Sequence, residues 1–454
     1  MPFATINPAT GKTEKEFPTM TPAEVDALLD QAVAAFDAYR RTTFAERSRH
    51  LITAAELLEG EVPDIARILT TEMGKTFAAA KGEVSKCAMA LRWFAENAER
   101  LLADEPIPTK ATRSYVHYQP LGPVLAVMPW NFPMWQVIRF AAPALMVGNV
   151  GLLKHASNVP QTALALEDLF RRAGLPAGVF TNLFVESKDV ADLINDPRIK
   201  AVTITGSERA GMSVAAAAGH ALKKSVLELG GSDPFVVLPS ADLEACIRTA
   251  VTARVQNNGQ SCIAAKRFIV HDDVADEFLA RFTETMDALV VGDPFEPGTD
   301  VGPIVTETQR DELVNQVEAA RAQGADVHAA PNVPSGDGWY FPPTVISNVS
   351  VDMPVAQEEI FGPVALVLRV PDLDTAIAAA NATPFGLGSS VWTNDTDEIA
   401  RCTDEIEAGA VFVNAMVAST PELPFGGVKK SGYGRELSEL GLKEFTNQKT
   451  VWIG

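Results

Sequence analysis

The sequence predicts an α/β protein whose first large unit is a doubly wound parallel sheet and whose second unit is also α/β. From Gly122 onward, short apolar runs alternate with helical stretches, and five strands are expected at 124–128, 150–153, 179–184, 201–205 and 226–229. This alternation is typical of βα units that share a parallel sheet. After Gly230 a second series begins, with a helix over 241–256 and strands near 235–238, 268–270, 364–368, 388–392 and 410–413.

The N-terminal hundred residues are predicted to be mainly helical. Thr21 and Glu24 form a capping-box pattern with Pro22 at the first helical position, and an amphipathic run follows them. Residues 112–119 interrupt this pattern with β-branched and aromatic side chains, which favour a strand or a hairpin.

Composition restricts the class of protein and of partner. The chain has 454 residues, of which 47% are hydrophobic and 21% charged, a globular composition with room for two or three domains. A formal charge of −20 argues against nucleic acid as a partner, because phosphate backbones are bound by concentrated basic faces. No secretory leader is evident, and the longest weakly polar run, 141–153, is too short to cross ~30 Å of hydrocarbon. We therefore expect a cytoplasmic location and no membrane partner.

Unusual polar residues follow the ends of the predicted strands in the first sheet. Asn131 follows the first strand, Lys154 the second, and Gly206 and Ser207 the fourth, while Glu228 closes the fifth. Ligands of such sheets bind just beyond the carboxyl ends of the strands, so we expect these residues to meet at one edge.

Cys262 differs from the other three cysteines. Cys87, Cys246 and Cys402 lie in helix-like stretches, where small buried thiols are common, and the spacing of all four favours neither a zinc site nor a disulfide framework. Cys262 instead ends the segment Asn-Asn-Gly-Gln-Ser-Cys at 257–262, after a glycine turn that can leave backbone amides free to hold an oxyanion. The residues alone leave open whether Cys262 is a nucleophile or a fourth buried thiol.

A nucleophilic Cys262 would need a base and an oxyanion donor. None of the six histidines has a characteristic spacing to Cys262. Glu228 lies between apolar neighbours, and burial there would raise its pKa towards the operating pH of a general base. Asn131, in Pro-Trp-Asn-Phe-Pro at 129–133, offers a neutral N–H donor. A structural carboxylate and an ordinary turn are the alternatives at these two positions.

A phosphate site is only weakly indicated. No Gly-x-Gly-x-x-Gly segment follows a predicted strand, so the usual turn for a dinucleotide pyrophosphate is missing. The turn 205–211 instead joins a strand to a helix whose N-terminus could face a phosphate. Capping of that helix by Ser207 is the alternative interpretation.

Five segments, taken in order, resemble the aldehyde dehydrogenase superfamily. They are Pro-Trp-Asn-Phe-Pro at 129–133, Leu-Glu-Leu-Gly-Gly at 227–231, Gly-Gln-Ser-Cys at 259–262, Glu-Glu-Ile-Phe-Gly-Pro at 358–363 and Pro-Phe-Gly-Gly at 424–427. The resemblance implies a dinucleotide-binding domain at 1–102 and 122–229, a catalytic domain at 230–427, and a small β oligomerisation arm at 103–121 and 428–454. It also implies a homodimer or a homotetramer.

The same resemblance assigns roles in the oxidation of an aldehyde. Cys262 is the expected nucleophile, Glu228 the general base, and Asn131 the oxyanion donor together with the backbone N–H of Cys262. The expected reaction is addition of the thiolate, transfer of hydride to a nicotinamide cofactor, and hydrolysis of the resulting thioester. The cofactor-binding residues that the resemblance implies are Trp130, Lys154, Gly206, Ser207, Leu229, Glu359 and Phe361.

Ser157 bears on the choice of cofactor. The segment Leu-Lys-His-Ala-Ser at 153–157 departs from a common family pattern that has an acidic residue in place of Ser157. A carboxylate would repel a 2′-phosphate, whereas a serine hydroxyl beside Lys154 can donate to one. We therefore predict that NADP is preferred, with NAD also possible.

Within the superfamily the sequence is most similar to succinate-semialdehyde dehydrogenases. Arg139 is predicted to anchor the substrate carboxylate and Ser419 to donate a second hydrogen bond. Some members carry a further arginine six positions before the nucleophile, where this chain has Gln256. The alternatives are a structural ion pair at Arg139, a different short aldehyde, release of the acyl group to coenzyme A, a thiol hydrolase without cofactor, and a binding protein without activity.

Overall fold

The structure, a computed structural model that describes residues 3–454, begins with a β-hairpin and four helices. The hairpin consists of β1 (Phe3–Asn7) and β2 (Lys12–Phe17). The helices that follow are α1 (Pro22–Tyr39), α2 (Phe44–Gly60), α3 (Val62–Met73) and α4 (Phe77–Leu101). The predicted capping box is confirmed, because the hydroxyl of Thr21 accepts from the Glu24 amide while the Glu24 carboxylate accepts from the Thr21 amide.

The next segment supplies the first large sheet. After β3 (Glu105–Pro106) and β4 (Arg113–Pro120), strands and helices alternate. The elements in chain order are β5 (Pro123–Met128), α5 (Trp135–Val147), β6 (Val150–His155), α6 (Pro160–Arg172), β7 (Phe180–Asn182), α7 (Val190–Asn195), β8 (Ala201–Thr205), α8 (Glu208–His220) and β9 (Lys224–Glu228).

The second large unit follows directly. Its elements are β10 (Asp233–Val237), α9 (Leu243–Val255), β11 (Ala265–His271), α10 (Asp272–Asp287), α11 (Glu307–Ala322), β12 (Asp326–Ala329), β13 (Thr344–Ser347), α12 (Pro354–Gln357), β14 (Val364–Val370), α13 (Leu373–Asn381), β15 (Ser389–Trp392), α14 (Thr396–Glu405) and β16 (Val411–Val413). The chain ends with β17 (Gly432–Tyr433), α15 (Ser438–Glu444) and β18 (Thr446–Ile453).

Two mainly parallel sheets result, and a third small sheet joins the middle of the chain to its end. The first has the strand order β17-β9-β8-β5-β6-β7, in which only β17 runs antiparallel to its neighbour. The second has the order β12-β13-β14-β11-β10-β15-β16, with β12 antiparallel. The third is antiparallel, in the order β18-β4-β3.

Apolar side chains fill separate cores on the two large sheets. Phe94 of α4, Leu125 of β5 and Ile138 of α5 are completely buried in the first core. Phe235 of β10 and Phe268 of β11 are completely buried in the second. Each sheet is therefore covered by its own helices, which is the environment that near-continuous apolar strands require.

The predicted α/β class and the alternating strands are confirmed, with shifts of a few residues at the ends. The strand expected at 179–184 is shorter, at 180–182. The strands that were not predicted are β1, β2, β3, β12, β13 and β17, of which β2 and β12 are polar and almost wholly exposed. Exposed edge strands lack the apolar alternation on which the prediction depends.

The C-terminal segment 428–454 contributes strands to two sheets, whereas only a small β arm was predicted. Its last strand, β18, pairs along its whole length with β4, as a shared small sheet requires. Gly432 and Tyr433, however, pair with β9 and extend the first large sheet. None of the helices within residues 3–454 combines the length and the apolar character needed to cross a membrane.

Candidate active site

The loop that carries Cys262 is held in an uncommon backbone conformation. After α9 the chain passes through Asn257 and Asn258, which have φ of 56° and 58°, and Gly259, which has φ of 73°. Asparagine tolerates this left-handed region better than most residues. An added Cβ at Gly259 would lie 2.3 Å from the carbonyl carbon of Gly362, so only glycine fits there. Backbone geometry thus favours asparagine at 257 and 258 and requires glycine at 259.

The side chains of Asn258 and Lys266 hold this loop in place through hydrogen bonds. The Asn258 amide donates to the carbonyls of Gly74 and Pro303, at 2.8 and 3.0 Å, and its oxygen accepts from the Gly302 amide at 2.9 Å. The ammonium of Lys266 is completely buried and donates to three backbone carbonyls of the nucleophile loop. They are those of Ser261 and Cys262 (2.8 Å each) and of Ala264 (3.2 Å). Lys266 therefore holds the turn that presents Cys262.

The thiol of Cys262 is protonated in the resting site. Burial raises its pKa to about 12, although the positive charges of Arg139 and Lys266 act in the opposite direction. A thiolate is the reactive form, so attack by Cys262 requires a group that accepts its proton.

Asn131 lies against the Cys262 loop. Its Nδ2 donates to the carbonyl of Gln260 at 3.1 Å, and its own carbonyl accepts from Asn257 Nδ2 at 2.8 Å. Within residues 3–454 the backbone N–H of Cys262 has no hydrogen-bond acceptor. One amide hydrogen of Asn131 and the N–H of Cys262 are therefore both free to bind an oxyanion.

Glu228 is the last residue of β9 and is 2% exposed. Among residues 3–454 neither of its carboxylate oxygens has a hydrogen-bond partner. Burial, reinforced by the neighbouring Glu436 carboxylate, raises its pKa well above the usual value, as expected for a general base in an apolar site. An added Cβ at Gly426 would lie 2.7 Å from Glu228 Oε1, so this glycine permits the chain to pass close to the carboxylate.

Arg139 forms a buried ion pair, the interpretation that the sequence left open as the alternative to a carboxylate anchor. The side chain is 2% exposed and its guanidinium forms an ion pair with the buried carboxylate of Glu436. It also donates to Thr205 Oγ1 at 3.2 Å and lies over the ring of Phe425 at 4.5 Å. A substrate carboxylate would have to displace Glu436 and leave that charge buried without its partner, which is strongly unfavourable.

Ser419 belongs to a different cationic cluster. Its hydroxyl oxygen accepts from Lys86 Nζ and from Trp135 Nε1, both at 3.0 Å. Lys86, on α4, also lies over the Trp135 ring at 4.1 Å and is half-buried. With both acceptor sites of Ser419 engaged, its O–H remains able to donate.

A cavity of about 810 Å³ collects most of the predicted cofactor residues, and this volume is typical of a small-molecule site. Cys262 and Asn131 form part of its wall. The predicted cofactor residues that line it are Trp130, Ser157, Gly206, Ser207, Leu229, Glu359 and Phe361. Lys154 is not among them; it is buried on β6, with its ammonium 3.5 Å from Ser187 Oγ.

One wall of this cavity is formed by the N-terminus of α8, where a phosphate could bind. Ser207 caps α8 by accepting from the Ala210 amide at 3.3 Å, so the capping interpretation is confirmed and the helix N-terminus also faces the cavity. Gly211 lets Leu229 pack on α8, because a Cβ there would lie 2.4 Å from the leucine side chain. Glu359 accepts from the Gly231 amide at 3.0 Å, which fixes its carboxylate at the opposite wall.

Three residues of the site were not singled out from the sequence. Lys266 holds the nucleophile loop, Gln136 donates to Asn131 Oδ1 at 3.0 Å, and Glu436 pairs with Arg139. A lysine at the start of a buried strand is rare and was the one usable signal. Gln136 and Glu436 carry no such signal, because their partners are brought to them only by the fold.

Comparisons with known proteins agree with this geometry. The model of the aldehyde dehydrogenase family matches residues 1–451, and the chain belongs to that family. It is 58% identical to the succinate-semialdehyde dehydrogenase [NADP(+)] of Mycobacterium avium, over 100% of this chain and 97% of the relative. It is 57% identical to succinate-semialdehyde dehydrogenase [NADP(+)] 1 of Mycobacterium ulcerans, over the whole of both chains. The crystal structure of succinic semialdehyde dehydrogenase from Streptococcus pyogenes in complex with NADP+ superposes with a TM-score of 0.97, at 37% identity, covering 99% of each chain.

We expect Lys266→Met to destabilise the protein and to reduce turnover. The substitution leaves buried carbonyls without donors, which should lower the free energy of unfolding by about 2 kcal/mol and loosen the Cys262 turn. Chemical denaturation and steady-state kinetics measure the two effects. Lys200→Met is the matched control, since the exposed Lys200 donates to a single carbonyl, that of Pro197. Equal unfolding energies and kinetics for the two variants would contradict the assigned role.

Proposed function

We propose that the chain oxidises succinic semialdehyde to succinate with NADP as the hydride acceptor. The identities of 58% and 57% to relatives named as NADP-dependent succinate-semialdehyde dehydrogenases are the observation that carries the proposal. The cavity that contains both Cys262 and the predicted cofactor residues supports it. A substrate panel followed by absorbance of the reduced cofactor is the first test.

In the proposed mechanism the thiol proton of Cys262 passes to water, and the thiolate adds to the aldehyde carbon. The new oxyanion is bound by Asn131 Nδ2 and the N–H of Cys262, both preorganised neutral donors. When bound, the nicotinamide cofactor supplies the hydride acceptor. Loss of hydride from the carbon held by Cys262 leaves a thioester.

Glu228 then acts on the second half of the reaction. Its carboxylate takes a proton from a water molecule that attacks the thioester carbonyl, and the same two donors bind the second oxyanion. Collapse releases the carboxylic acid and returns Cys262 to the thiol form. The role proposed for Glu228 as a water-activating base favours hydrolysis over release to coenzyme A.

For the cofactor we propose that Ser157 and Lys154 recognise the 2′-phosphate. Ser157 lines the cavity, and Lys154 lies on the strand that ends two residues earlier. Burial lowers the pKa of Lys154, and a phosphate bound beside it would act in the opposite direction by stabilising the ammonium form. A serine hydroxyl and an ammonium together provide charge-assisted donors suited to a phosphate.

For the substrate carboxylate we propose Lys86 and Ser419 as the donors. Lys86 keeps contact with solvent and donates to Ser419, and within residues 3–454 no carboxylate accepts a hydrogen bond from it. Arg139, which is fully engaged with Glu436, contributes only through its charge. This assignment replaces the arginine anchor expected from the sequence.

We further propose that β18, the edge of the small sheet, pairs with a neighbouring subunit in a dimer or tetramer. Its side chains Trp452 and Ile453 are 57% and 45% exposed. An exposed apolar edge strand is an aggregation hazard unless it is covered, so pairing with another copy is its expected state.

Glu228→Gln should stall the enzyme after the first oxidation. The amide cannot activate water, so the thioester should accumulate and steady-state turnover should fall by roughly 100-fold or more. Rapid mixing should detect a burst of reduced cofactor approaching one per subunit. A linear time course at the wild-type rate would contradict the role of Glu228 in hydrolysis.

Ser157→Glu should shift preference from NADP to NAD. The introduced carboxylate repels a 2′-phosphate and can accept from a ribose hydroxyl. Catalytic efficiency with each cofactor, measured for both proteins, gives the ratio that decides the matter. Ser207→Ala is the control, since Ser207 lines the same cavity but caps a helix. An unchanged ratio in Ser157→Glu would exclude the assigned role.

Lys86→Met should reduce activity towards the charged substrate and leave activity towards an uncharged aldehyde nearly unchanged. Loss of a charge-assisted hydrogen bond should reduce kcat/KM for succinic semialdehyde by about 10- to 100-fold and leave butanal nearly unaffected. Arg139→Met is the comparison, and it should impair both aldehydes because its partner Glu436 lies beside Glu228. A selective loss in Arg139→Met, with none in Lys86→Met, would restore Arg139 as the anchor.

The pH dependence of the preference for succinic semialdehyde over butanal gives a second measure of the charge on Lys86. Burial and the charge of Arg139 lower the pKa of Lys86 to about 8, opposed by Cys87 and Glu83 on its own helix. The cation is present below that pH and lost above it. The ratio of kcat/KM for succinic semialdehyde to that for butanal should therefore fall as pH rises through about 8, while ionisation of Cys262 cancels from the ratio.

A further inference from the structure

Gln136 is a buried amide in the first turn of α5 to which the proposed reaction gives no role. It is 2% exposed and lines the same cavity as Cys262. Its Nε2 donates to Asn131 Oδ1 at 3.0 Å, while among residues 3–454 its Oε1 has no partner. The contact joins Gln136 to the side chain that is expected to bind the oxyanion.

The direction of this hydrogen bond is fixed by a backbone carbonyl. The carbonyl of Gln260 can only accept, so the group of Asn131 that faces it at 3.1 Å must be the NH2. Asn131 Oδ1 then faces Gln136, which must present its own NH2. Rotating either amide by 180° would place acceptor against acceptor or donor against donor. The orientation of both side chains therefore follows from Gln260.

Hydrogen bonds from side chains hold the main chain just before Gln136 in place. One oxygen of the Glu83 carboxylate accepts from the amides of Met134 and Trp135, at 2.9 and 3.0 Å, and its other oxygen is paired with Lys75. On the opposite side, His155 Nε2 donates to the carbonyl of Pro133 at 2.9 Å, since its Nδ1 accepts from the Ala156 amide. The segment from Asn131 to Gln136 is thus held at both ends.

We propose that Gln136 is a positioning residue that sets the amide of Asn131 with an N–H toward the carbon bound to Cys262. The proposal rests on the oxyanion role proposed for Asn131. Within residues 3–454 Gln136 has no hydrogen bond to the thiol of Cys262; together with the Gln260 carbonyl it opposes rotation of the Asn131 amide about its terminal bond, which would exchange the donor for an acceptor. Orientation of a donor before reaction is what makes an oxyanion site effective.

The test is a double-mutant cycle on kcat/KM for succinic semialdehyde with NADP. Asn131→Ala should lose about 100-fold or more, as removal of one oxyanion donor does. Gln136→Met, which keeps length and removes both polar groups, should lose about tenfold, mainly in kcat and with an unchanged KM for NADP. In the Asn131→Ala background Gln136→Met should cause no further loss, because there is no amide left to orient.

The outcomes separate this inference from the proposed function. If Gln136→Met costs the same factor with and without Asn131, Gln136 acts through packing and the inference is overturned. If Asn131→Ala retains wild-type activity, the oxyanion role in the proposed function fails instead. Thermal unfolding checks each variant, and Gln136→Leu repeats the cycle should the methionine variant fold poorly. Loss of the Gln136 effect in the Asn131→Ala background, with either substitution, supports the inference.

Discussion

The site depends on hydrogen bonds by which Asn257 joins two loops that belong to different sheets. Asn257 Nδ2 donates both to the carbonyl of Asn131, after β5, and to that of Gln260, in the loop before β11. The thiol loop and the oxyanion-donor loop are thereby fixed to each other by one side chain. Neutral amides suit this position, because a charge buried here would shift the pKa of Cys262 directly.

Buried charges nevertheless surround the site, and their pairing decides what each can do. Arg139 and Glu436 neutralise each other, while Glu228, beside them, has no cation in hydrogen-bond contact within residues 3–454. Burial raises the pKa of the unpaired Glu228 carboxylate well above its usual value. A raised pKa is what a general base requires. Pairing Arg139 with Glu436 instead of Glu228 thus preserves the basicity of Glu228.

The sequence was sufficient to predict the parallel sheet and the residues at its strand ends, because apolar strands and the polar residues that follow them are local patterns. Asn131 and Glu228 lie where those patterns placed them. The ion pair of Arg139 could not be predicted because its partner Glu436 is remote in sequence and meets α5 through the packing of the C-terminal segment. Gln136 could not be predicted for the same reason. Its hydrogen bond to Asn131 is oriented by the bond from Asn131 to the Gln260 carbonyl, which lies on another loop.

The placement of Lys86 is consistent with the physical needs of a carboxylate anchor. A cation that binds a charged substrate must lose little when the substrate leaves, so it should retain access to water. Lys86 meets this condition, since it is half-buried and directs its ammonium at a neutral hydroxyl. Arg139 does not, because full burial obliges it to keep a permanent counterion. With Gln256 in place of a second arginine, the proposed substrate site would obtain its positive charge from Lys86 on α4.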